Sequence, residues 1–187
     1  MTQLRGERFA ALADLPNETR LENVPDNDDW VENNATFANY CEQSGLNSVE
    51  KTIRRQLGRL GCGAALDIAG GSDGTALQDL LGDGTVEKAL LTNYYDTRTS
   101  RARSIGALAH VAGDMLEADT WDQIEAWQTA NAPEGFSLIM HRPFGALQHL
   151  PADIYQTATH ELLDILRPGG MLFMQIPMAC SHGSAAI

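Results

Sequence analysis

The chain has 187 residues and a formal net charge of −12, with 43% hydrophobic and 20% charged residues. This length and composition predict one globular domain with an extension, and exclude a wholly disordered chain. The excess of acidic residues disfavours nucleic acid and anionic membrane surfaces as partners. The three cysteines form no CxxC pair, so we expect neither a disulfide framework nor a zinc site. The sequence has neither a signal peptide nor a run of roughly 20 apolar residues, so we expect a cytoplasmic protein.

The first 60 residues are predicted to precede the main domain as an extension. Residues 1–29 are polar and contain scattered prolines, which is typical of a loosely held arm. Aromatic residues at near-helical spacing between Trp30 and Tyr40 predict a short helix. A second, stronger apolar stripe predicts a helix over residues 46–60. We interpret residues 1–60 as an N-terminal arm and helical cap.

From residue 61 to residue 187, strand-like and helix-like patterns alternate along the chain. The strand-like runs are residues 64–69, 88–92, 108–112, 136–141 and 171–176. The helix-like stretches are residues 75–81, 99–108, 119–130 and 151–166. This alternation predicts right-handed βαβ crossovers and therefore an α/β, doubly wound, mostly parallel sheet.

The loop after the first strand-like run is the most informative candidate site. In an open parallel sheet, ligands bind beyond the carboxyl ends of the strands, where the strand order reverses. The loop reads Asp67-Ile68-Ala69-Gly70-Gly71-Ser72-Asp73-Gly74 and leads directly into a predicted helix. Glycines let the backbone approach a ligand closely, and a helix start offers free N–H groups. This pattern favours a nucleotide or a nucleoside as the ligand.

This turn resembles the first motif of class I S-adenosylmethionine-dependent methyltransferases, in which an acidic residue and a glycine-rich turn end the first strand. Ala69 and Asp73 stand where that family usually has its first and last glycine. Later segments resemble the family in the same order along the chain, and the resemblance covers about residues 61–177. These segments are Asp96 after the second strand, Gly113-Asp114 after the third, and Leu166-Arg167-Pro168-Gly169-Gly170 before the fifth.

The resemblance implies a Rossmann-like methyltransferase fold, S-adenosylmethionine as the cofactor and a small molecule as the methyl acceptor. It implies that Asp96, or Asn93 in its place, binds the ribose hydroxyls, and that Asp114 and Met115 lie beside the adenine. His141, after the fourth strand, is the candidate general base, or else it holds the cofactor or the substrate by a hydrogen bond. The implied cofactor-binding residues are Asp67, Ala69, Gly70, Gly71, Asp73, Asp96, Asp114, Met115 and His141.

Three expectations concern places where the chain departs from the family or where a segment has a structural task. Asp73 is expected either to face the cofactor or to turn outward and cap the helix that follows. The segment 167–170 is expected to turn the chain into the fifth strand. Residues 177–187 are too few for the two further strands of the family. We expect that the sheet is truncated after the fifth strand, that a second copy of the chain or another partner covers its edge, or that the sequence is a fragment of a longer protein.

Two other functions compete with the methyltransferase hypothesis. A non-catalytic, methyltransferase-like binding or scaffolding subunit would explain the altered glycine turn and the short C-terminus. A nicotinamide-dependent dehydrogenase is disfavoured, because residues 70–74 lack the Gly-x-Gly-x-x-Gly spacing. No metal site is expected, since the five histidines are scattered and have no ligand spacing.

Overall fold

A computed structural model of the chain describes residues 35–43, 48–115, 117–141 and 152–174. The helices in this part of the chain are α1 (Phe37–Gln43), α2 (Val49–Leu60), α3 (Thr75–Gly82), α4 (Ser100–Arg103), α5 (Ala118–Asn131) and α6 (Ala152–Asp164). The strands are β1 (Ala64–Ile68), β2 (Lys88–Asn93), β3 (Leu108–Ala112), β4 (Phe136–His141) and β5 (Leu166–Met174). Among these helices, none is both long enough and apolar enough to cross a lipid bilayer.

The described strands form one parallel sheet in the order β3-β2-β1-β4-β5. Strand β1 lies at the centre, and Leu66 pairs with Leu90 of β2 on one side and with Ile139 of β4 on the other. The chain proceeds outward from β1 to β3, then returns past β1 to continue with β4. The strand order therefore reverses between β1 and β4. The predicted α/β, doubly wound fold is confirmed.

Helices cover both faces of the sheet. On one face α1, α2 and α3 pack on alternate strand residues in a cluster that includes Leu57, Leu77 and Met140. On the other face α5 and α6 contribute Trp121 and Leu162 to a second cluster. Every residue of β1 and β4 is buried, because both of their faces are covered, and this explains why most of their residues are apolar.

Two predicted helices differ from the observed ones. Helix α1 begins at Phe37, and Trp30 lies outside the described residues. Helix α4 ends at Arg103, five residues before its predicted end at Leu108. Leu108 is instead the first residue of β3, where it is buried and pairs with Ala89. Pairing in the sheet outweighs the local helical pattern at this position.

The prediction that residues 167–170 form a turn into the fifth strand is wrong. Strand β5 already begins at Leu166, which pairs with Phe136, and the next paired position joins Met171 to Leu138. Residues 167–170 therefore bulge out of the ladder within β5. Glycine suits the bulge because a Cβ at position 170 would lie 2.8 Å from the carbonyl oxygen of Phe136. Within the described residues, β5 and β3 are the edges of the sheet, and association through an edge stays a prediction.

Candidate functional site

The candidate site lies at the carboxyl ends of β1, β2 and β4, on either side of the point where the strand order reverses. Ile68 at the end of β1 pairs with Thr92 of β2 and with His141 of β4. The parallel register therefore brings the turn after β1, Asn93 at the end of β2 and His141 to the same edge of the sheet. Ligands of open α/β sheets bind at such an edge.

The turn after β1 has an unusual backbone conformation. Ala69 has a φ of +56° and donates its N–H to the carbonyl oxygen of Thr92 at 2.9 Å. Gly71 and Gly74 also have positive φ values, of +81° and +60°. A left-handed conformation costs a residue with a Cβ roughly 1–2 kcal/mol, whereas glycine adopts it without this penalty. The structure thus shows why position 69 is suited to glycine, and Ala69 occupies it with strain.

Asp67 supports this turn from within the protein. It is fully buried and pairs in register with Leu91 and Met140, so its side chain lies on the face covered by α1, α2 and α3. The carboxylate contacts the Cα of Gly70, and a Cβ at position 70 would overlap it. Gly70 is therefore required for close approach rather than for a positive φ. The buried carboxylate and the glycine together define the shape of the turn.

Asn93 connects the end of β2 to the same turn. Its side-chain amide donates to the carbonyl oxygen of Gly71 at 3.0 Å. Its own carbonyl oxygen accepts the N–H of Gly113 at 3.0 Å, so it also contacts the loop after β3. Asn93 was the alternative to Asp96 for binding ribose hydroxyls, and its amide already has a structural partner in the turn.

Asp73 does not cap helix α3, which was one of the two expectations for its carboxylate. The residue that precedes α3 is Gly74, and no side chain caps that helix. The Asp73 carboxylate instead accepts two hydrogen bonds from Thr99, at 2.7 Å from its backbone N–H and at 3.0 Å from its hydroxyl. Thr99 in turn caps α4 by accepting the N–H of Ala102. Asp73 thus ties the turn after β1 to the loop after β2.

Asp96 is exposed in the loop after β2 and is paired with arginine. Arg98 donates to both of its carboxylate oxygens, from Nε at 2.9 Å and from Nη2 at 3.0 Å. Arg103 lies 3.6 Å from the same carboxylate. The hydrogen bonds from Arg98 hold the pKa of Asp96 well below its usual range. The group is therefore a stable anion, and a carboxylate with two oxygens still has room to accept further hydrogen bonds.

His110, in the middle of β3, lies near Asp96 and Arg98. The sequence did not identify it as a site residue. It is half-buried, and burial together with the nearby Arg98 lowers its pKa to about 4, although Asp96 opposes this effect. Arg98 and His110 surround Asp96 because β3 lies beside β2 in the sheet. The one available signal was a histidine within the otherwise apolar run 108–112.

Asp114 and Met115 follow β3, one strand further from the reversal point. Asp114 is half-buried, and its carbonyl oxygen accepts the N–H of Glu117 at 3.0 Å in a turn before α5. Met115 is buried in the core cluster under α5 and α6, where its carbonyl oxygen accepts the indole N–H of Trp121 at 2.7 Å. The Met115 side chain therefore contributes to the hydrophobic core.

His141 is the last residue of β4 and is almost completely buried. Its ring lies on the α5 and α6 face beside Ile68, opposite the face that holds Asp67. Burial lowers the pKa of the imidazole to about 4, so it is neutral near pH 7. Neither ring nitrogen has a hydrogen-bond partner among the described residues. A neutral imidazole offers one donor and one acceptor, and unpaired buried polar groups are costly, which favours a task for them in binding or catalysis.

Within the part of the chain that the structure describes, no three His, Cys, Asp or Glu side chains converge as they would on a metal ion. The edge of the sheet instead brings together a glycine-rich turn, a buried carboxylate beneath it, an arginine-paired carboxylate and a neutral histidine. The chain matches no protein-family model and no curated protein. Since one fold can carry many functions, the residues of the site are the guide to its function.

Proposed function

We propose that this protein is an S-adenosylmethionine-dependent methyltransferase that acts on a small molecule. The observation that carries the proposal is the turn of residues 69–74, which lies at the reversal of the strand order with the Asp67 carboxylate directly beneath Gly70. Doubly wound sheets bind nucleotides and nucleoside cofactors in the crevice at such a reversal. The motif order along the chain, described above, narrows this general expectation to the methyltransferases.

The residues of the turn fit a nucleoside cofactor. Gly70 and Gly71 present no side chains, and the space that a Cβ would take at position 70 is filled from inside by Asp67. A ligand would therefore meet backbone at this point. The turn would hold the amino-acid part of the cofactor, Asp96 its ribose hydroxyls, and Asp114 its adenine. When bound, S-adenosylmethionine supplies a methyl group on a sulfonium, which is already activated for transfer.

The chain's own contribution would be orientation and, at His141, proton transfer. Holding two reactants in line supplies much of the rate when one of them is already activated. The neutral imidazole of His141 can accept a proton from a hydroxyl or amine acceptor, or orient it by a hydrogen bond. Its lowered pKa keeps it in the unprotonated form that either task requires.

Calorimetric titration of S-adenosylmethionine and S-adenosylhomocysteine into the wild-type chain tests the proposal. We expect both to bind, and Asp96→Ala to weaken binding about tenfold or more, as expected for the loss of hydrogen bonds to a charged group. Asp164→Ala is the matched control, because Asp164 is exposed at the end of α6, immediately before β5. Wild-type protein that binds neither compound would overturn the proposal. Binding of NADH in their place would favour a dehydrogenase.

A non-catalytic binding subunit is the second candidate, and two contacts favour it. Asp73, at a position where the family usually has glycine, is bound to Thr99, and Asp96 is already paired with Arg98. Both contacts stabilise the loops around the site without any ligand. Incubation with methyl-labelled S-adenosylmethionine and small-molecule fractions separates the two functions. Release of S-adenosylhomocysteine supports the enzyme, whereas tight binding without release supports the subunit.

A further inference from the structure

A tyrosine from the N-terminal extension reaches the candidate site. Tyr40 of α1 is fully buried, and its hydroxyl donates a hydrogen bond to the backbone oxygen of His141 at 3.0 Å. The same hydroxyl lies 3.5 Å from the backbone oxygen of Phe173, and the two rings meet edge to face at 5.0 Å. Since Tyr40 precedes His141 by 101 residues, this contact joins the extension to the end of strand β4.

The contact is made with the backbone of His141 and not with its ring. Tyr40 belongs to the core cluster on the face of α1, α2 and α3, and Phe173 packs against that cluster. The His141 side chain lies on the opposite face, beside Ile68, and neither of its ring nitrogens has a partner among the described residues. Tyr40 therefore binds the backbone of His141 from the face of α1, α2 and α3, while the imidazole lies on the opposite face of the sheet.

The position of His141 in its strand makes this support important. It is the last paired residue of β4 on both sides, facing Ile68 of β1 and Met174 of β5. The direction of the Cα–Cβ bond follows the backbone, so a group that fixes the terminal carbonyl also restricts the orientations that the imidazole can adopt.

Helix α1 is itself held firmly enough to act as a support. The N–H of Phe37 donates to the carboxylate of Asp79 on α3 at 3.0 Å. The guanidinium of Arg54 on α2 lies over the Phe37 ring, 5.1 Å from its centre. The helix is thus bound to two neighbouring helices independently of Tyr40.

We propose that Tyr40 is a positioning residue of the candidate site, whose hydroxyl holds the backbone of His141 and so sets the orientation of its imidazole. This makes α1 a structural part of the site. The task of the imidazole rests on the proposed function, but the support that Tyr40 gives it does not. Tyr40→Phe removes the hydroxyl and keeps the ring, so it separates the hydrogen bond from the packing.

The test is an NMR spectrum of the full chain labelled with ¹³C at the histidine Cε1, in which the signal of His141 is assigned with His141→Phe. We expect Tyr40→Phe to shift or broaden the His141 signal. Phe37→Leu is the matched control: it removes an aromatic ring from the same core cluster but keeps the backbone bond of α1 to Asp79 and the tyrosine hydroxyl, and we expect the His141 signal to stay in place. An unchanged signal in Tyr40→Phe would overturn the proposal, as would an equal shift in both variants.

A second measurement, of ligand binding, tests whether the hydrogen bond of Tyr40 affects the candidate site. We expect Tyr40→Phe to weaken S-adenosylhomocysteine binding by up to about tenfold, the effect of one hydrogen bond. If the wild type does not bind this compound, the proposed function fails while the histidine signal still decides the role of Tyr40. If Tyr40→Phe does not fold, Phe173→Leu loosens the tyrosine ring and keeps its hydroxyl, and a smaller shift of the same signal is expected.

Discussion

The carboxylate of Asp67 lies against the Cα of Gly70, in the space that a side chain at position 70 would occupy. The two residues are separated by only two others, yet one is inside β1 and the other is in the turn that follows it. The turn therefore folds back over the end of its own strand. This close approach ties the stability of the domain to the shape of the candidate site.

Gly70→Ala should lower the free energy of unfolding by about 1–3 kcal/mol, because its Cβ forces the buried carboxylate or the turn to move. Urea denaturation measures the loss. In an Asp67→Ala background the same substitution should cost less, since the group it collides with is gone. Gly58→Ala, in open space on α2, serves as the control and should stabilise by up to about 1 kcal/mol. Equal costs of Gly70→Ala in both backgrounds would contradict the direct contact.

Ala69→Gly should leave the domain as stable as the wild type or stabilise it by up to about 1 kcal/mol. The residue has a φ of +56°, and glycine removes the strain of that conformation. Glycine also raises the conformational entropy of the unfolded chain, which offsets part of this gain. Thermal unfolding is the measurement. Ala126→Gly, at an exposed position within α5, is the matched change and should cost about 1 kcal/mol. A similar loss at both positions would show that position 69 is not strained.

Asp73→Ala should release the loop after β2 from the turn after β1. We expect a loss of about 1 kcal/mol, since two hydrogen bonds to Thr99 disappear at a partly exposed position. The amide of Thr99 should also exchange faster with deuterium, and hydrogen exchange read by NMR measures this directly. Asp73→Asn keeps one acceptor oxygen and should have a smaller effect. Protection of the Thr99 amide that survives both changes would argue against the contact.

Stability should fall in mildly acidic solution because of buried histidines. Burial lowers the pKa of His141 from 6.5 to about 4, so between these values the unfolded chain binds a proton that the folded chain does not. The free energy of unfolding is therefore unaffected by the protonation of this histidine above about pH 6.5. It falls between about pH 6.5 and pH 4, by at most about 1.4 kcal/mol for each pH unit. His110, whose pKa is also lowered to about 4, adds a similar slope.

Denaturation of the wild type and of His141→Phe, each followed from pH 7.5 to about pH 4.5, isolates the share of His141. The variant should show a shallower dependence on pH, while the part due to His110 persists. His160→Gln, on the exposed side of α6, is the control for the loss of an imidazole. Parallel curves for the wild type and His141→Phe would mean that the imidazole of His141 is accessible to solvent.

Four of the five strands match their predicted runs to within one residue, whereas β5 begins five residues before its predicted run 171–176. A strand that is buried on both faces is mostly apolar, and β4 begins and ends where its predicted run does. The edge strand β3 also has its predicted bounds, although it is only partly buried. Helix α4 ends before its predicted end at Leu108, because Leu108 pairs with Ala89 in the sheet. At residues 167–170 the proline and glycines indicated a turn, and the same residues serve equally well in a bulge of β5.

The candidate site was partly predictable. The turn after β1 could be read from its glycines, because few other residues tolerate positive φ and close backbone approach. His141 could be read from its place at the end of a buried strand. The partner of Asp73 and the role of Tyr40 could not be predicted in this way. Thr99 and Tyr40 are distant in sequence from the residues that they bind, and no local pattern marks them.

By itself, the sequence determined the order of strands and helices, and with it the parallel sheet, since short connections and right-handed crossovers leave few other arrangements. It also determined which turn lies at the reversal of the strand order. Only the tertiary structure decided which side chains meet there. Register and packing bring Tyr40 behind His141 and Thr99 onto Asp73, and both depend on contacts summed over the whole sheet rather than on any one segment.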